Sequence, residues 1–268
     1  MANAVKLVAV DEDGTFLRDH RTYDKVRFER IWDRMADLGV RFVVATGNQC
    51  YQVQGLFPEH ASHMGIVSAN GAYVLDGSQE VFAARAPQDT VDHLIRACHD
   101  HPDIPFSMLG VNGSYVERTT SQAFFDDMAQ YCFRQYWVDD FSMVDDQVFM
   151  FSSVVDPSEV KDAIALFREV AGSRMDVVGS GEGYFDVVCP GVTKASGLRA
   201  LLERWDIAPE ECVAFGDSDN DLAMLELVGC SYAMGNAPKN VCEAADHVAP
   251  RCDEDGVLQV LEDLFGLR

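Results

Sequence analysis

The sequence has no long hydrophobic run. No segment of its 268 residues reaches the roughly 18 consecutive apolar residues that a transmembrane helix needs. The first residues, MANAVKLVAVDEDG, also lack the basic stretch and apolar run of a secretory signal. These two absences predict a soluble, cytoplasmic protein with no membrane partner.

The eight cysteines lack any disulfide-framework or metal-binding pattern. They are scattered along the chain without a CxxC pair and without the Cys/His spacing of a zinc site. In a chain of this length, such scatter favours reduced, individually buried thiols.

Positive charge is scarce. The chain has 21 Lys and Arg against 44 Asp and Glu, a formal net charge of −23. Such a balance repels nucleic-acid phosphates and anionic membranes, which argues against both as partners. A phosphorylated substrate is also an anion, so a site for one would have to supply local positive charge.

Several catalytic and binding motifs are absent. Neither GxxxxGK[ST] nor GxSxG occurs, which argues against P-loop and serine-hydrolase chemistry. Asp217, Asp219 and Asp221 match the first ligand positions of an EF-hand loop. However, Leu222 and Val228 occupy its glycine and final glutamate positions. A calcium-binding structural module is therefore disfavoured.

Short apolar runs recur at both ends of the chain, and helical patterns lie between them. Continuous hydrophobicity is typical of strands covered on both faces, as in a parallel sheet. The alternation predicts an α/β fold with a doubly wound, Rossmann-like parallel sheet. The predicted strands are Leu7 to Val10, Phe42 to Ala45, Ile66 to Val67, Val213 to Phe215 and Tyr232 to Met234, and the predicted helices lie around Phe28 to Leu38 and Leu198 to Trp205.

The middle of the chain has a different pattern, with shorter candidate strands and one candidate helix from Pro157 to Val170. We interpret it as a second α/β domain inserted into the first. The predicted domains are a discontinuous core of residues 1–83 and 190–268 and an inserted domain of residues 84–189.

Polar residues follow three of the predicted core strands. Ligands of doubly wound sheets bind outside the carboxyl ends of the strands, so these positions are the best candidates for function. Clustered carboxylates there would repel one another unless a hard cation lay between them, and Mg²⁺ prefers such oxygen ligands. Donors from Lys194, at the start of a helix, and from the Thr46 hydroxyl could bind a phosphate. The residues after the strands are Asp11 to Thr15, Thr46 to Asn48 and Gly216 to Asp221.

Each of these features alone has a simpler interpretation. Acidic residues beside glycine are often turn chemistry, and Asp221 could be a carboxylate stabilised at a helix N-terminus. Asn70 could face a substrate or cap a turn. His60 and His63 are expected at the surface, and His99 and His101 in a loop.

Taken in order, the motifs resemble those of the haloacid dehalogenase superfamily. The set comprises DEDGT from Asp11, Thr46, Lys194 and GDSDND from Gly216. Further segments resemble the Cof-like sugar phosphatases, and they cover nearly the whole core but little of the middle. These segments are VVATGNQCYQ, SANGA, PGVTKASGL, GDSDNDLAML and AMGNA. Because about 150 residues lie between Thr46 and Lys194, the insertion follows the second motif. In this superfamily that position implies a type 2 α/β cap.

The resemblance implies catalytic roles for two carboxylates. Asp11 would be the nucleophile that forms an aspartyl-phosphate, and Asp13 the general acid and base. Mg²⁺ would be held by the carboxylates of Asp11 and Asp217 and the backbone carbonyl of Asp13. Asp221 would act through a water molecule.

The resemblance also implies roles in binding the substrate. Thr46, Gly47 and Lys194 would bind phosphate, and Asn220 would orient Lys194 or the phosphate. Asn48 stands where many Cof-like proteins carry Arg, which weakens the case for a second, distal phosphate. Asn48 and Asn70 are assigned to substrate binding.

The expected function is therefore a magnesium-dependent phosphatase acting on small phosphorylated metabolites, in particular sugar phosphates. A phosphomutase on the same scaffold is one alternative. A catalytically silent ligand-sensing protein is another, disfavoured by the intact Asp11, Asp13, Lys194 and Asp217. The sequence leaves the particular sugar and the oligomeric state open.

Overall fold

The computed structural model describes residues 5–181 and 183–268. The chain forms two compact units. Unit 1 comprises Met1–Gly47, Phe57–Val81 and Thr193–Arg268, and unit 2 comprises Asn48–Leu56 and Phe82–Val192. The sequence-based domains differ from these units chiefly in Asn48–Leu56, which groups with unit 2.

An eight-stranded sheet forms the centre of unit 1. Its order is β14-β13-β12-β1-β2-β3-β4-β5. From β14 to β3 all neighbours pair in parallel, and β4 runs antiparallel to β3. The strands are β1 Leu7–Val10, β2 Arg41–Ala45, β3 Gly65–Ser68, β4 Tyr73–Asp76, β5 Gln79–Ala83, β12 Cys212–Gly216, β13 Cys230–Met234 and β14 His247–Ala249.

Helices pack on both faces of this sheet. On one face, Leu198 and Leu201 join Leu7, Ala9 and Val43 in a single apolar cluster. On the other face, the rings of Phe28 and Phe42 lie 5.3 Å apart. The doubly wound α/β fold is confirmed, and burial on both faces explains the continuous apolar strands. The helices of unit 1 are α1 Lys25–Leu38, α6 Lys194–Trp205, α7 Leu222–Leu227, α8 Lys239–Ala244 and α9 Gly256–Leu264.

Unit 2 has a six-stranded sheet of order β10-β11-β9-β6-β7-β8. Among its described residues, β7 and β8 pair in parallel and the other neighbouring strands pair antiparallel. On one face, Phe106 contacts the rings of Phe167 and Phe185 at 4.6 and 5.6 Å. The strands are β6 Ser107–Gly110, β7 Ser114–Glu117, β8 Gln135–Val138, β9 Val148–Val154, β10 Asp176–Gly181 and β11 Tyr184–Val188, and the helices are α2 Cys50–Leu56, α3 Gln88–Asp100, α4 Gln122–Met128 and α5 Val160–Ala171.

Two histidine predictions were wrong. His60 is buried against the Trp32 ring, and its Nε2 lies 2.9 Å from Glu29 Oε1, a partner 31 positions away that local sequence could not show. His99 lies on α3, not in a loop. All eight cysteines are free, as expected, and six of them are buried.

Among the residues that the structure describes, no helix combines the length and apolar character needed to cross a membrane.

Candidate active site

The loop after β1 is fixed by its backbone and by a buried aromatic side chain. The Asp11 N–H donates to the carbonyl of Phe215 at 3.0 Å, which extends the pairing of β1 with β12. Five residues on, the Phe16 N–H donates back to the Asp11 carbonyl at 3.2 Å. Phe16 is buried, with its ring 5.2 Å from that of Phe28. The loop therefore turns sharply and leaves Asp11 at the carboxyl end of the sheet.

Gly14 allows the loops after β1 and β12 to approach each other. Its φ of +77° is left-handed, and a Cβ at this position would overlap the carboxylate of Asp217. Thr15 donates through Oγ1 to Asp217 Oδ1 at 3.1 Å. The DEDGT segment thus positions the carboxylate of Asp217, which follows β12 about two hundred residues later in the chain.

Asp221 organises the loop after β12 and is completely buried. Its Oδ2 accepts hydrogen bonds from the backbone N–H groups of Asp217 and Ser218, at 3.0 and 3.1 Å. Its Oδ1 accepts from Lys194 Nζ at 2.7 Å. Asp221 therefore joins this loop to the helix that begins at Lys194.

Lys194 is the first residue of α6. Thr193 caps this helix, since its Oγ1 accepts from the Ser196 N–H at 3.1 Å and its N–H donates to Ser196 Oγ at 2.9 Å. Lys194 Nζ lies 2.6 Å from Asp11 Oδ1 as well as contacting Asp221, and the lysine is buried. Burial alone would lower the pKa of Lys194, but the two carboxylates raise it above its ordinary value.

Asp11, Asp217 and Asp221 each place a carboxylate oxygen within 4.8 Å of the others. Burial raises the pKa of Asp11 well above its ordinary value, against the opposing effect of Lys194. Burial and the neighbouring Asp221 raise the pKa of Asp217 to about 6. Burial thus opposes ionisation of both carboxylates, and Lys194 offsets this effect only in part.

The cluster fits a divalent cation. Three carboxylates and one ammonium group leave a formal charge of −2 when all are ionised. The donors are hard oxygens, which suit Mg²⁺. Asp221 is fully buried, and its two oxygens accept hydrogen bonds from Lys194 and from two backbone N–H groups. Asp11 and Asp217 are therefore the carboxylates better placed to hold the ion directly.

Asp13 is not part of that carboxylate cluster. Its Oδ2 accepts a hydrogen bond from Arg21 Nη2 at 3.2 Å, and its side chain is 42% exposed. The proposed nucleophile and the proposed acid and base thus lie in different environments, one buried and one partly open to solvent.

Of the residues predicted to bind phosphate, Thr46 and Gly47 follow β2, and Asn220 is linked to them through Asn70. Thr46 is buried, and its carbonyl accepts from the Asn70 N–H at 2.9 Å. A Cβ on Gly47 would contact the Asn70 amide at 3.4 Å. Asn220 Nδ2 donates to Asn70 Oδ1 at 3.1 Å, and Asn220 Oδ1 accepts from Ser218 Oγ at 2.6 Å. Lys194 contacts Asp11 and Asp221, whereas Asn220 is hydrogen-bonded to Asn70 and Ser218.

Unit 1 brings together nearly all of the residues predicted for the site. Asn48 is different, because it opens the segment that belongs to unit 2. Asn70 has a left-handed φ of +55°, so the turn also depends on it, as its alternative interpretation suggested.

Sequence reasoning gave no role to two residues of this region. Asn236 Nδ2 donates to the Gly14 carbonyl at 2.8 Å and lies 3.5 Å from Asp217 Oδ2, while its Oδ1 accepts from the Cys252 N–H. It belongs to the AMGNA segment, which could have signalled its importance. Arg21 had no such signal.

A second group with metal-ligating side chains lies in unit 2, formed by His99, Glu117 and Asp140. His99 Nε2 lies 2.8 Å from Glu117 Oε1, which also accepts from the Phe141 N–H. Asp140 accepts from the Ser142 N–H at 2.7 Å. These contacts account for the group as local structure.

Comparison with known proteins agrees with this geometry. The sequence profile of a family described as haloacid dehalogenase-like hydrolase matches residues 8–261. The 5-amino-6-(5-phospho-D-ribitylamino)uracil phosphatase YbjI of Escherichia coli is 36% identical over 98% of this chain and 97% of its own. The phosphatase YitU of Bacillus subtilis, named for the same compound, is 26% identical over 97% of this chain and 98% of its own.

Solved structures share the fold. The crystal structure of SMU.1108c from Streptococcus mutans superposes with a TM-score of 0.90 at 30% identity, and the match covers 98% of this chain and 100% of that one. The subclass IIB sugar phosphatase BT4131 matches with a TM-score of 0.80 at 23% identity, over 98% and 100% of the two chains. The resemblance found in the motifs is thereby confirmed: the chain belongs to the haloacid dehalogenase-like hydrolase family and is a phosphatase.

Proposed function

We propose that this phosphatase is magnesium-dependent and hydrolyses small sugar or sugar-alcohol phosphates through an aspartyl-phosphate on Asp11. The observation that carries the proposal is the cluster of Asp11, Asp217 and Asp221, which is largely buried and, together with Lys194 at 2.6 Å from Asp11, has a formal charge of −2. Such a site suits a divalent cation and an incoming phosphate together.

The protein's own groups divide the chemistry. Bound Mg²⁺ would neutralise charge that develops on the phosphoryl oxygens. The Asp11 carboxylate attacks phosphorus as the bond to the leaving oxygen breaks, and Asp13 gives that oxygen a proton. Asp13 then takes a proton from the water that hydrolyses the aspartyl-phosphate. Lys194, held by Asp221, stays beside Asp11 throughout.

The residues at the end of β2 would bind the phosphate. Thr46 can donate its hydroxyl, and Gly47 can donate its backbone N–H without a side chain in the way. Asn70 and Asn220 form an amide pair beside them, which supports a role for Asn220 in holding this group.

The substrate class rests on the relatives. YbjI, YitU and YcsE are named for a phosphate ester of a ribityl chain, a five-carbon sugar alcohol. We therefore include 5-amino-6-(5-phospho-D-ribitylamino)uracil among the candidate substrates, beside pentose and hexose phosphates. The net charge of −23 argues against nucleic acid as the substrate.

We further propose that unit 2 selects among these substrates, because the groups in the unit 1 site suit phosphate and metal. The segment from Gly181 to Asp186 is the candidate contributor. Glu182 lies outside the described residues, whereas Asp186 is buried and accepts from Ser152 Oγ at 2.5 Å.

The test is a phosphate-release screen over these compounds, nucleotides and phospho-amino acids. Activity should be lost in chelator and return with Mg²⁺, because without a cation the carboxylates repel the phosphate. Ca²⁺ should restore it poorly, because its looser, higher coordination would misplace the attacking carboxylate.

Full activity in chelator would contradict the magnesium site and the mechanism. Conversion of a sugar phosphate to its isomer without release of inorganic phosphate would favour a phosphomutase instead.

A further inference from the structure

Arg21 lies at the tip of a tight turn that follows the DEDGT segment. The Arg18 N–H donates to the Thr22 carbonyl and the Arg21 N–H to the Arg18 carbonyl, both at 2.8 Å. Arg21 itself has a left-handed φ of +54°, a conformation that side chains other than glycine adopt at a cost. Such outliers are common where a side chain must point in one functional direction.

The turn is anchored to Asp255 by residues other than Arg21. Arg18 Nε donates to Asp255 Oδ1 at 2.7 Å, and Arg27 Nη1 lies 3.3 Å from Asp255 Oδ2. Arg27 also binds Glu262 on α9. Arg21 is thus carried by a turn that α1 and the C-terminal region hold in place.

The Arg21 guanidinium contacts the carboxylate proposed to act as acid and base. Its Nη2 lies 3.2 Å from Asp13 Oδ2 and 3.9 Å from Oε1 of the fully buried Glu12. The Arg21 and Asp13 side chains are 32% and 42% exposed, so solvent screens the pair and its contribution to stability is small. The contact with Asp13 therefore adds little stability, and what it can supply is a fixed direction for that carboxylate.

We infer that Arg21 is a positioning residue for Asp13, an inference that rests on the proposed function. By holding Oδ2, the guanidinium fixes the direction of Oδ1 in a side chain that is otherwise partly open to solvent. Acid and base catalysis depends first on such placement, since the proton must pass over a hydrogen-bond distance. Oδ1 would then deliver a proton to the departing oxygen and later accept one from the attacking water.

If Arg21 positions Asp13, the loss of kcat/KM in a variant without Arg21 should depend on the leaving group of the substrate. An alkoxide needs a proton as it departs, whereas 4-nitrophenolate needs little protonation. The value of kcat/KM covers all steps up to cleavage of the phosphate ester. In Arg21→Ala, the ratio of kcat/KM for a sugar phosphate to that for 4-nitrophenyl phosphate should fall by about tenfold or more.

A second readout follows from the base step. With 4-nitrophenyl phosphate, Arg21→Ala should accumulate more acid-stable phospho-enzyme at steady state, because Asp13 now activates water poorly. Arg21→Lys keeps the charge but loses the planar fork, so it should recover part of both effects. In an Asp13→Asn background, Arg21→Ala should leave the substrate ratio unchanged.

Arg18→Ala is the matched control, because it removes a cation of similar exposure from the same turn. It should lower the melting temperature without changing the substrate ratio. Circular dichroism establishes that each variant is folded, and Arg21→Gln replaces Arg21→Ala if the latter is not.

Equal losses for both substrates, together with weaker inhibition by inorganic phosphate, would overturn the inference and make Arg21 a phosphate ligand. An unchanged ratio in an active, folded Arg21→Ala protein would also overturn it while leaving the proposed function intact. Absence of magnesium-dependent phosphate release by the wild-type protein would refute the proposed function itself.

Discussion

Lys194 forms ion pairs with two buried carboxylates, Asp11 and Asp221, and these two carboxylates differ in their other partners. Removing one partner of a buried ion pair is strongly destabilising, because the remaining charge stays uncompensated. Asp221 has a second set of partners, the backbone N–H groups of Asp217 and Ser218. It can therefore hold Lys194 in place when Asp11 changes its bonding. The contact between Asp221 and Lys194 supports the prediction that Asp221 does not bind the metal directly. Its hydrogen bonds from backbone N–H groups agree in part with the simpler interpretation, a carboxylate stabilised at a helix N-terminus.

The first residue-scale prediction separates Asp11 from Asp13. Asp11→Asn removes the nucleophile, so it should be inactive and should form no phospho-enzyme. Asp13→Asn removes acid and base catalysis, a factor of about 10²–10⁴. With 4-nitrophenyl phosphate it should still accumulate acid-stable, hydroxylamine-sensitive phospho-enzyme. Labelling of Asp11→Asn at another residue would contradict the assignment.

The second concerns pH and the metal. The pKa of Asp217 is raised from 3.8 to about 6, so the native metal-free protein binds this proton more tightly than the unfolded chain does. The linked stabilisation is complete below pH 3.8 and is lost as the pH rises through about 6. Mg²⁺ binds the ionised carboxylates. The rise in the protein's melting temperature on adding Mg²⁺ should therefore be small at about pH 5 and larger at about pH 7.5.

Differential scanning fluorimetry with and without Mg²⁺ measures this increase. An increase that does not depend on pH would contradict the prediction. The variant Asp217→Asn is the control, because it cannot titrate at this position and should lose most of the response to Mg²⁺.

At the residue scale, the sequence predicted the residues whose chemical type and place after a strand or at a helix start indicate a function. Asp11, Lys194 and Asp217 follow apolar strands or open a helix, so their meeting could be foreseen. Arg21 and Asn236 could not be placed, because their roles depend on a left-handed turn and on a contact 222 positions away.

At the scale of elements, the N-terminus of α6 sets the position of Lys194. Thr193→Ala removes the side-chain half of the capping box and should lower the free energy of unfolding by about 1 kcal/mol. Thr193→Ser keeps an oxygen for the Ser196 N–H and should change it little. Urea denaturation measures both variants, and an equal loss in the two would show that the methyl group matters more than the cap.

For several elements, burial decided whether the sequence pattern predicted them. The fully buried β1 and β12 read as continuous apolar runs, and α1 was found from Phe28, Ile31 and Met35, which are all buried. The strands β5 and β8 were missed because they are largely half-exposed or exposed, which leaves no apolar run. The helix α2 was missed because CYQVQGL buries a glutamine beside its apolar residues.

At the scale of the molecule, unit 2 should determine substrate preference. The exchange of residues 84–189 for those of a related phosphatase should transfer preference and leave magnesium dependence intact. Since Asn48–Leu56 also belongs to unit 2, a second chimera exchanges both segments and should transfer preference more completely. The phosphate-release screen compares the two, and a folded double exchange that keeps the original preference would place selectivity in unit 1.

The central strand β1 lies between β2 and β12, although β12 comes about two hundred residues later. During translation, Asp11 therefore leaves the ribosome long before the lysine that neutralises it. Until Cys212–Gly216 emerges, β1 has an open apolar edge, and such edges are prone to aggregation. The nascent chain can have no phosphatase activity before Lys194 and Asp217 are made, so folding of unit 1 and onset of catalysis should coincide.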